Sequence, residues 1–334
     1  MDLLIAGIVI LLLAVVPMVL YALVLWWFDR YEKEPLGLII AAFLWGAVPA
    51  VIFSLIAQLL FDIPISNLVR PGIGSELLEA SLIAPLTEEP FKGLALLLLV
   101  LFFRREIDSP IDGVLYGGLV GFGFAATENV FYFIDAYSQQ GLGGVLELSL
   151  YRAALFGLNH ALFTGCTGLG LAVARTSPRW PIKIIAPLVG LGAAIALHAI
   201  HNTGASLAGS LCWPLLVSLA SDWLGVLALV GILIWVSVRE QQTIIRYLAD
   251  EVQAGALSQR DYFVIQSYWR RVGERLRALF QANFGRWLRL GRYYRLATEL
   301  AFAKQRWVAF GREPDSARRI EALRRQLYEL RKTL

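Results

Sequence analysis

The stretch Ala84-Pro85-Leu86-Thr87-Glu88-Glu89-Pro90-Phe91-Lys92 sets two adjacent carboxylates and a lysine inside largely apolar sequence. Hydrophobic residues precede it from Leu77 and follow it as the run Gly93 to Phe103, so the whole is long enough to cross a bilayer. Each charge at the centre of a spanning helix costs roughly 2.5–3.5 kcal/mol on insertion scales. Groups that carry such a cost face the protein interior and mark either a functional site or a buried ion pair, here Glu88 with Lys92 at i,i+4 spacing. Pro85 and Pro90 each remove a backbone donor and disfavour helix in the preceding residue, so the span is expected to break there. A break at membrane depth requires cover by protein or a water-filled cavity.

The composition agrees with a membrane setting. The 334 residues are 57% hydrophobic and 17% charged, which excludes an ordinary soluble domain. From Arg239 to Leu334 there are 20 Lys and Arg against 10 Asp and Glu, whereas the preceding residues are net acidic. The chain therefore reads as a membrane domain, 1–238, followed by a basic helical domain, 239–334. Cys166 and Cys212 form neither a disulfide framework nor a CxxC metal pattern. The first apolar run has no basic flank before it and is too long for a signal-peptide core, so it is read as a spanning helix.

Seven spans are expected: Leu3–Phe28, Leu36–Phe61, Leu77–Phe103, about Ile111–Ile134, about Arg152–Ala174, and two, near 184–205 and near 214–238, because the uncharged run Ile184–Ser221 is too long for one helix and turns near 206–214. The fold class is thus an all-α polytopic bundle. Basic residues concentrate in alternate loops: Arg30 and Lys33, then Arg104 and Arg105, then Arg175, Arg179 and Lys183. The positive-inside rule places the N-terminus outside and the basic C-terminal region in the cytoplasm. That region alternates arginine with aromatic and aliphatic residues, and Ile320, Leu323, Leu327 and Leu330 form a helical stripe. Amphipathic helices whose basic faces lie on anionic lipid fit this pattern. No nucleic-acid recognition motif is present, and no nucleic-acid partner is expected.

All three histidines, His160, His198 and His201, fall inside predicted spans. With the alternating topology, Glu88, Glu128, His160 and His198 share a depth of roughly 10–15 Å below the outer surface. Independent packing residues need not share a depth, whereas a common site requires it. Phe124 and Glu128, His160 and Thr164, and His198 and Asn202 are i,i+4 pairs, each on one helix face. Gly113, Gly117 and Gly121 form a doubled GxxxG ladder that lets helices approach closely and brings Glu128 to its neighbours. Three chemistries suit such a set: paired carboxylates activating water, Glu and His ligands holding zinc, or a proton relay in a transporter. Neither HExxH nor GxSxG occurs.

Taken in order, these segments resemble the PrsW-type intramembrane proteases. Glu88-Glu89-Pro90-Phe91-Lys92 matches that family's EExxK, and Phe124-Ala125-Ala126-Thr127-Glu128 matches its FxxxE. His160-Ala161-Leu162-Phe163-Thr164 is similar to the third motif, and His198-Ala199-Ile200-His201-Asn202 to a final HxxxN. Asp29-Arg30-Tyr31-Glu32-Lys33-Glu34-Pro35 resembles the family's first cytoplasmic loop. The family is related to the CAAX-prenyl and bacteriocin-processing membrane proteases. The resemblance spans about residues 15–235 and implies proteolysis of membrane-anchored proteins, including site-1 cleavage of anti-sigma factors in some members. It implies residence in a bacterial cytoplasmic membrane.

The reading is therefore an intramembrane peptidase with Glu88, Glu89, Glu128, His160, His198 and Asn202 as catalytic candidates. Glu88 is expected to be the base, Glu128 to share or orient the water, and His198 with Asn202 to stabilise the oxyanion. Glu88, Glu128, His160 and His198 form a Zn²⁺ set, with a metal-free, glutamate-activated water as the alternative. The rival classes are a non-catalytic membrane binding protein and an ion- or proton-coupled transporter. Oligomeric state and the role of His201 stay open.

Overall fold

A computed structural model describes residues 3–29, 31, 33–68, 72–104, 106–209, 211–310 and 314–334. Arg30, Glu32 and Arg105, on which parts of the loop reading rest, lie outside the described residues. Among the described residues the structure is helical and has no strand. The first half comprises α1 (Leu3–Phe28), α2 (Leu36–Trp45), α3 (Val51–Leu68), α4 (Ile73–Leu78), α5 (Ala84–Phe102) and α6 (Pro110–Ser149). The second comprises α7 (Asn159–Thr176), α8 (Trp180–Leu207), α9 (Cys212–Gln253), α10 (Gln259–Ile265), α11 (Tyr268–Phe280), α12 (Phe284–Phe310) and α13 (Pro314–Arg331).

Among the described residues, five stretches are long and apolar enough to cross a membrane: Leu3–Phe28, Leu36–Phe61, Pro110–Thr176, Trp180–Leu207 and Cys212–Gln253. The Pro110–Thr176 stretch contains both α6 and α7. The run through α5 lies outside this set, and the chain there carries Glu88, Glu89 and Lys92. Among the described residues three π-helical segments lie between or after α-helices, at Gly46–Ala50, Glu79–Ile83 and Leu150–Leu155. The expected break at Pro85 and Pro90 is absent. Pro85 follows closely on the π segment Glu79–Ile83 and Pro90 is carried inside α5, so both prolines sit within one continuous helical run. The irregularity sits one turn earlier, in the π segment Glu79–Ile83, which joins α4 to α5 without interrupting the helical run.

In each π segment a carbonyl accepts a hydrogen bond from a side chain on another helix. Thr127 Oγ1 donates to Ala47 O at 2.7 Å, Asn202 Nδ2 to Ala80 O at 2.7 Å and Tyr21 Oη to Ala153 O at 2.9 Å. A π turn disturbs the i→i−4 ladder, and these bonds satisfy carbonyls in it. The chain divides into two compact units. The first is Met1–Phe28 with Glu34–Leu233, and the second is Asp29–Lys33 with Ile234–Leu334.

The first unit is built around α6 and α7. A Cβ added at Gly113 would collide with the Gly168 carbonyl, one at Gly117 with the Thr164 carbonyl and one at Gly121 with the His160 carbonyl. The glycine ladder therefore lays α6 backbone-to-backbone on α7, in an antiparallel register that brings Gly121 to His160. On the other side, Gly123 meets the Phe43 carbonyl, and Gly46 in the first π segment meets the Val120 carbonyl. Buried Glu34, from the loop motif, accepts the Tyr116 hydroxyl at 2.6 Å. Within α6, Gly141 has φ +64°, which only glycine adopts freely, and ends the regular helix there.

The second unit has its own core, including Ile244, Leu248, Ile265, Tyr293, Ala297, Leu300 and Leu327. The amphipathic stripe of α13 faces this core, since Ile320, Leu323 and Leu327 are buried in it. Glu251, fully buried, accepts from Lys304 at 2.9 Å and from Arg324 at 2.7 and 2.8 Å, tying α9 to α12 and α13.

Two outcomes check this packing. Gly121→Val should lower the melting temperature in detergent well below that of the parent, since overpacking alone costs about 1–3 kcal/mol and here the obstacle is backbone. Gly7→Val, with open space at its Cβ, should leave it unchanged. Glu251→Ala should cost about 1–3 kcal/mol by removing the acceptor that Lys304 and Arg324 share, although Lys304 keeps Asp250 and Arg324 keeps Glu321, read as faster tryptic cleavage C-terminal to Arg239 in the intact chain.

Candidate active site

Positions 88, 89 and 92 fall on one side of α5, and all three side chains are buried: Glu88 is 5% exposed, Glu89 and Lys92 are 0%. An ammonium has three protons and no acceptor. Lys92 Nζ finds three acceptors, Glu89 Oε1 at 2.9 Å, His160 Nδ1 at 3.0 Å and Glu88 Oε2 at 3.1 Å, and lies 3.7 Å from the centre of the Phe124 ring. The Glu88–Lys92 ion pair is therefore real, and it belongs to a larger cluster rather than standing alone.

Because Lys92 can only donate, His160 Nδ1 must accept, and the ring proton sits on Nε2. That nitrogen donates to Glu128 Oε2 at 2.8 Å. Glu128 also receives Arg152 Nη2 at 2.5 Å, and Arg152 Nε donates to Asn129 Oδ1 at 2.7 Å. The guanidinium is 3.8 Å from the centre of the Tyr132 ring. On the opposite flank, His198 Nδ1 lies 3.0 Å from Glu89 Oε1 and so donates to it, which leaves Nε2 with a free lone pair facing Glu88 Oε2 at 3.8 Å. The His198 ring stacks on Phe163 at 4.9 Å, and Thr164 Oγ1 donates to Glu89 Oε2 at 3.1 Å. One chain of polar contacts thus runs Arg152, Glu128, His160, Lys92, Glu89, His198 across four helices and a π segment.

A cavity of about 660 Å³ opens beside the cluster. Glu88, Glu128, Arg152, Gln58, His201 and Asn202 reach its wall, with Phe124 and Phe131 among the apolar residues. Gln58 Nε2 approaches Glu88 Oε1 at 3.4 Å. His160 and His198 are not on that wall. Asn202 is on it, although one of its amide protons goes to Ala80 O. The expected pairing of His198 with Asn202 around one oxygen atom is therefore not the arrangement found.

His201 belongs to a separate cluster. Its Nδ1 lies 2.8 Å from Asp222 Oδ2, 2.9 Å from Asn159 Nδ2 and 3.1 Å from Ser218 Oγ. A Ser–His–Asp relay needs the hydroxyl and the carboxylate on opposite ring nitrogens, and here both meet the same one. Asp222 and Asn159 were not among the residues singled out from the sequence. An acid eight residues into the last expected span was the available signal. Arg152 entered only as a span-edge charge, and nothing in the local sequence pairs it with Glu128.

Glu88, Glu89, His160 and His198 each offer a ligand atom, all within 4.8 Å of one another. The gathered set thus holds Glu89 where the sequence pointed to Glu128, which lies beyond the His160 ring. Two imidazoles and two carboxylates fit the donor chemistry of a zinc site. Lys92 hydrogen-bonds to three of the four, so an incoming cation and this ammonium compete for the same lone pairs.

Comparison with known proteins points the same way. The family described as PrsW family intramembrane metalloprotease matches residues 34–239. A protein named Protease PrsW from Geobacillus kaustophilus is 32% identical over 150 residues, covering 44% of this chain and 58% of that protein. The Protease PrsW of Clostridioides difficile is 28% identical over 152 residues, covering 46% and 60%, and that of Bacillus subtilis 30% over 149 residues, covering 45% and 61%. The chain thus spans about three-fifths of the length of these relatives. No solved structure matches significantly. With the match running through every helix that contributes to the Glu/His cluster, the chain belongs to the PrsW family of intramembrane metalloproteases.

Proposed function

We propose that the protein is an intramembrane peptidase that hydrolyses peptide bonds of membrane-anchored proteins near the outer leaflet, as in site-1 cleavage of an anti-sigma factor. The observation that carries this reading is the buried set of two carboxylates and two imidazoles beside a cavity, inside helices otherwise apolar. In this reading the chain crosses a bacterial cytoplasmic membrane seven times, the run through α5 included, with the N-terminus outside. Residues 1–238 form the catalytic domain and 239–334 a basic cytoplasmic domain.

Glu88 is the base that takes a proton from the attacking water: of the two adjacent carboxylates it alone reaches the cavity wall. Glu89 is a positioning residue, held by Lys92, Thr164 and His198. Glu128, fixed by Arg152 and His160, orients the water from the opposite wall. The second amide proton of Asn202 and the Arg152 guanidinium are two cavity-wall donors for an oxyanion, a contribution of about 3–4 kcal/mol where one such donor has been removed from a soluble protease. Zn²⁺ held by Glu88, Glu89, His160 and His198 would supply Lewis acidity and a bound water of lowered pKa.

The test is a comparison of new protein N-termini in membranes of cells expressing the parent chain or Glu88→Gln. Parent-specific termini inside or beside single spans are expected, with a loss of about 10²–10⁴-fold in the variant at unchanged expression and melting temperature. Equal termini in both would overturn the assignment. Arg152→Gln should reduce cleavage of the same substrates by about 10²-fold or more. A strong chelator should abolish cleavage by the purified protein and stoichiometric zinc should restore it; full activity in metal-free protein would leave the glutamate-activated water as the mechanism.

A further inference from the structure

The second unit carries an exposed apolar surface that its own core does not need. On α11, Trp269, Leu276 and Phe280 recur at i, i+7 and i+11, one face of the helix, and they are 61%, 42% and 85% exposed. The opposite face holds buried Arg271 and Ala278. After a three-residue turn, Phe284 and Leu288 on α12 are 61% and 62% exposed at i,i+4 spacing. The same line of α12 continues with exposed Arg292 and Arg295. The turn itself contains Ala282 at φ +53°, the one non-glycine positive φ among the described residues.

Charge surrounds these side chains. Between Tyr268 and Arg295 there are eight arginines and a single acid, Glu274. That acid is already bonded to Arg260 and Arg277. Exposed Arg270 lies 3.5 Å from the centre of the exposed Phe263 ring. Large aromatics beside long arginine stems suit a lipid headgroup boundary: rings enter the acyl edge while guanidinium groups stay among phosphates.

We propose that the α11–α12 hairpin, led by Phe280 and Phe284, docks on an anionic lipid surface. Two observations favour lipid over a protein occupant. The patch is basic, and the bilayer is always at hand, because α9 runs unbroken from the apolar segment at Cys212 into this unit at Gln253. A surface tethered in this way meets lipid at high effective concentration, so modest intrinsic affinity suffices. The stripe of α13 has no such role, since it is spent on the core. The inference rests on membrane residence and not on the catalytic assignment, so it stands or falls separately from the proteolysis reading.

The experiment uses the full chain in nanodiscs. In a Cys166→Ala, Cys212→Ser background, Phe284→Cys carries a nitroxide, and its access to oxygen and to an aqueous nickel chelate is read by paramagnetic relaxation. Arg325→Cys, at a side chain 78% exposed, serves as the control position. In discs containing phosphatidylglycerol, the label at 284 should favour oxygen and the label at 325 the chelate. In phosphatidylcholine alone, or with Arg270, Arg277, Arg292 and Arg295 all changed to Gln, position 284 should return to water. Each arginine lost should lower the docking constant roughly fivefold. A label at 284 that is aqueous in both lipids overturns the proposal. So does shielding that persists in phosphatidylcholine, survives the arginine changes, or scales with protein concentration as a second copy would require. Unchanged label mobility at 325 reports that the unit remains folded in every variant.

Discussion

A fully buried ammonium dictates much of the first unit. Lys92 sits in apolar helical surroundings, where an unpaired cation costs several kcal/mol, and its three protons require three acceptors. Two come from its own helix at i−3 and i−4, and the third must come from elsewhere. Meeting that need draws His160 and with it α7 into contact with α5. The same imidazole then hands its remaining proton to Glu128, which recruits α6 and Arg152. Close approach of α6 and α7 is possible because Gly113, Gly117 and Gly121 remove the side chains that would intervene. Polar satisfaction and glycine packing are thus one requirement seen from two sides.

The π segments belong to the same arrangement. Thr127 lies next to Glu128, Asn202 on the cavity wall, and Ala153 next to Arg152, and each of these positions takes part in a bond to a π-segment carbonyl. A local departure from the α ladder is therefore held by residues that also border the cluster. Such departures cost free energy unless their carbonyls find donors elsewhere. The site and the helix irregularities are coupled through shared side chains, which explains why Asn202 can be both a wall residue and a structural donor.

Much of this is legible in the amino-acid sequence. Ionisable residues in apolar runs, read with their depth, singled out Glu88, Glu128, His160 and His198 as a group, and these four do converge or adjoin. The glycine ladder was read as a device for bringing Glu128 to its neighbours, and it lies against the His160 backbone. Other features depend on contacts that no local pattern records. Adjacent Glu88 and Glu89 differ by about 100° around the helix, and which one faces the cavity is decided by packing against Gln58, Thr164 and His198. Two prolines suggested a broken span, yet the helical run continues through both, with a π segment rather than a break just before Pro85. The α13 stripe is legible as one face of an amphipathic helix, but that it is buried in the core of the second unit is not, because amphipathicity alone does not say which phase covers the apolar side.

The central claim is that water is added across a peptide bond at the Glu88 side of this cluster. It is tested most directly by supplying ¹⁸O-labelled water to the reconstituted protein together with a membrane substrate identified from its new termini. The account predicts one ¹⁸O atom in each new C-terminal carboxylate from a single turnover, and neither fragment nor label with Glu88→Gln. Fragments from Glu88→Gln at the parental rate, or parental fragments without label, would contradict it.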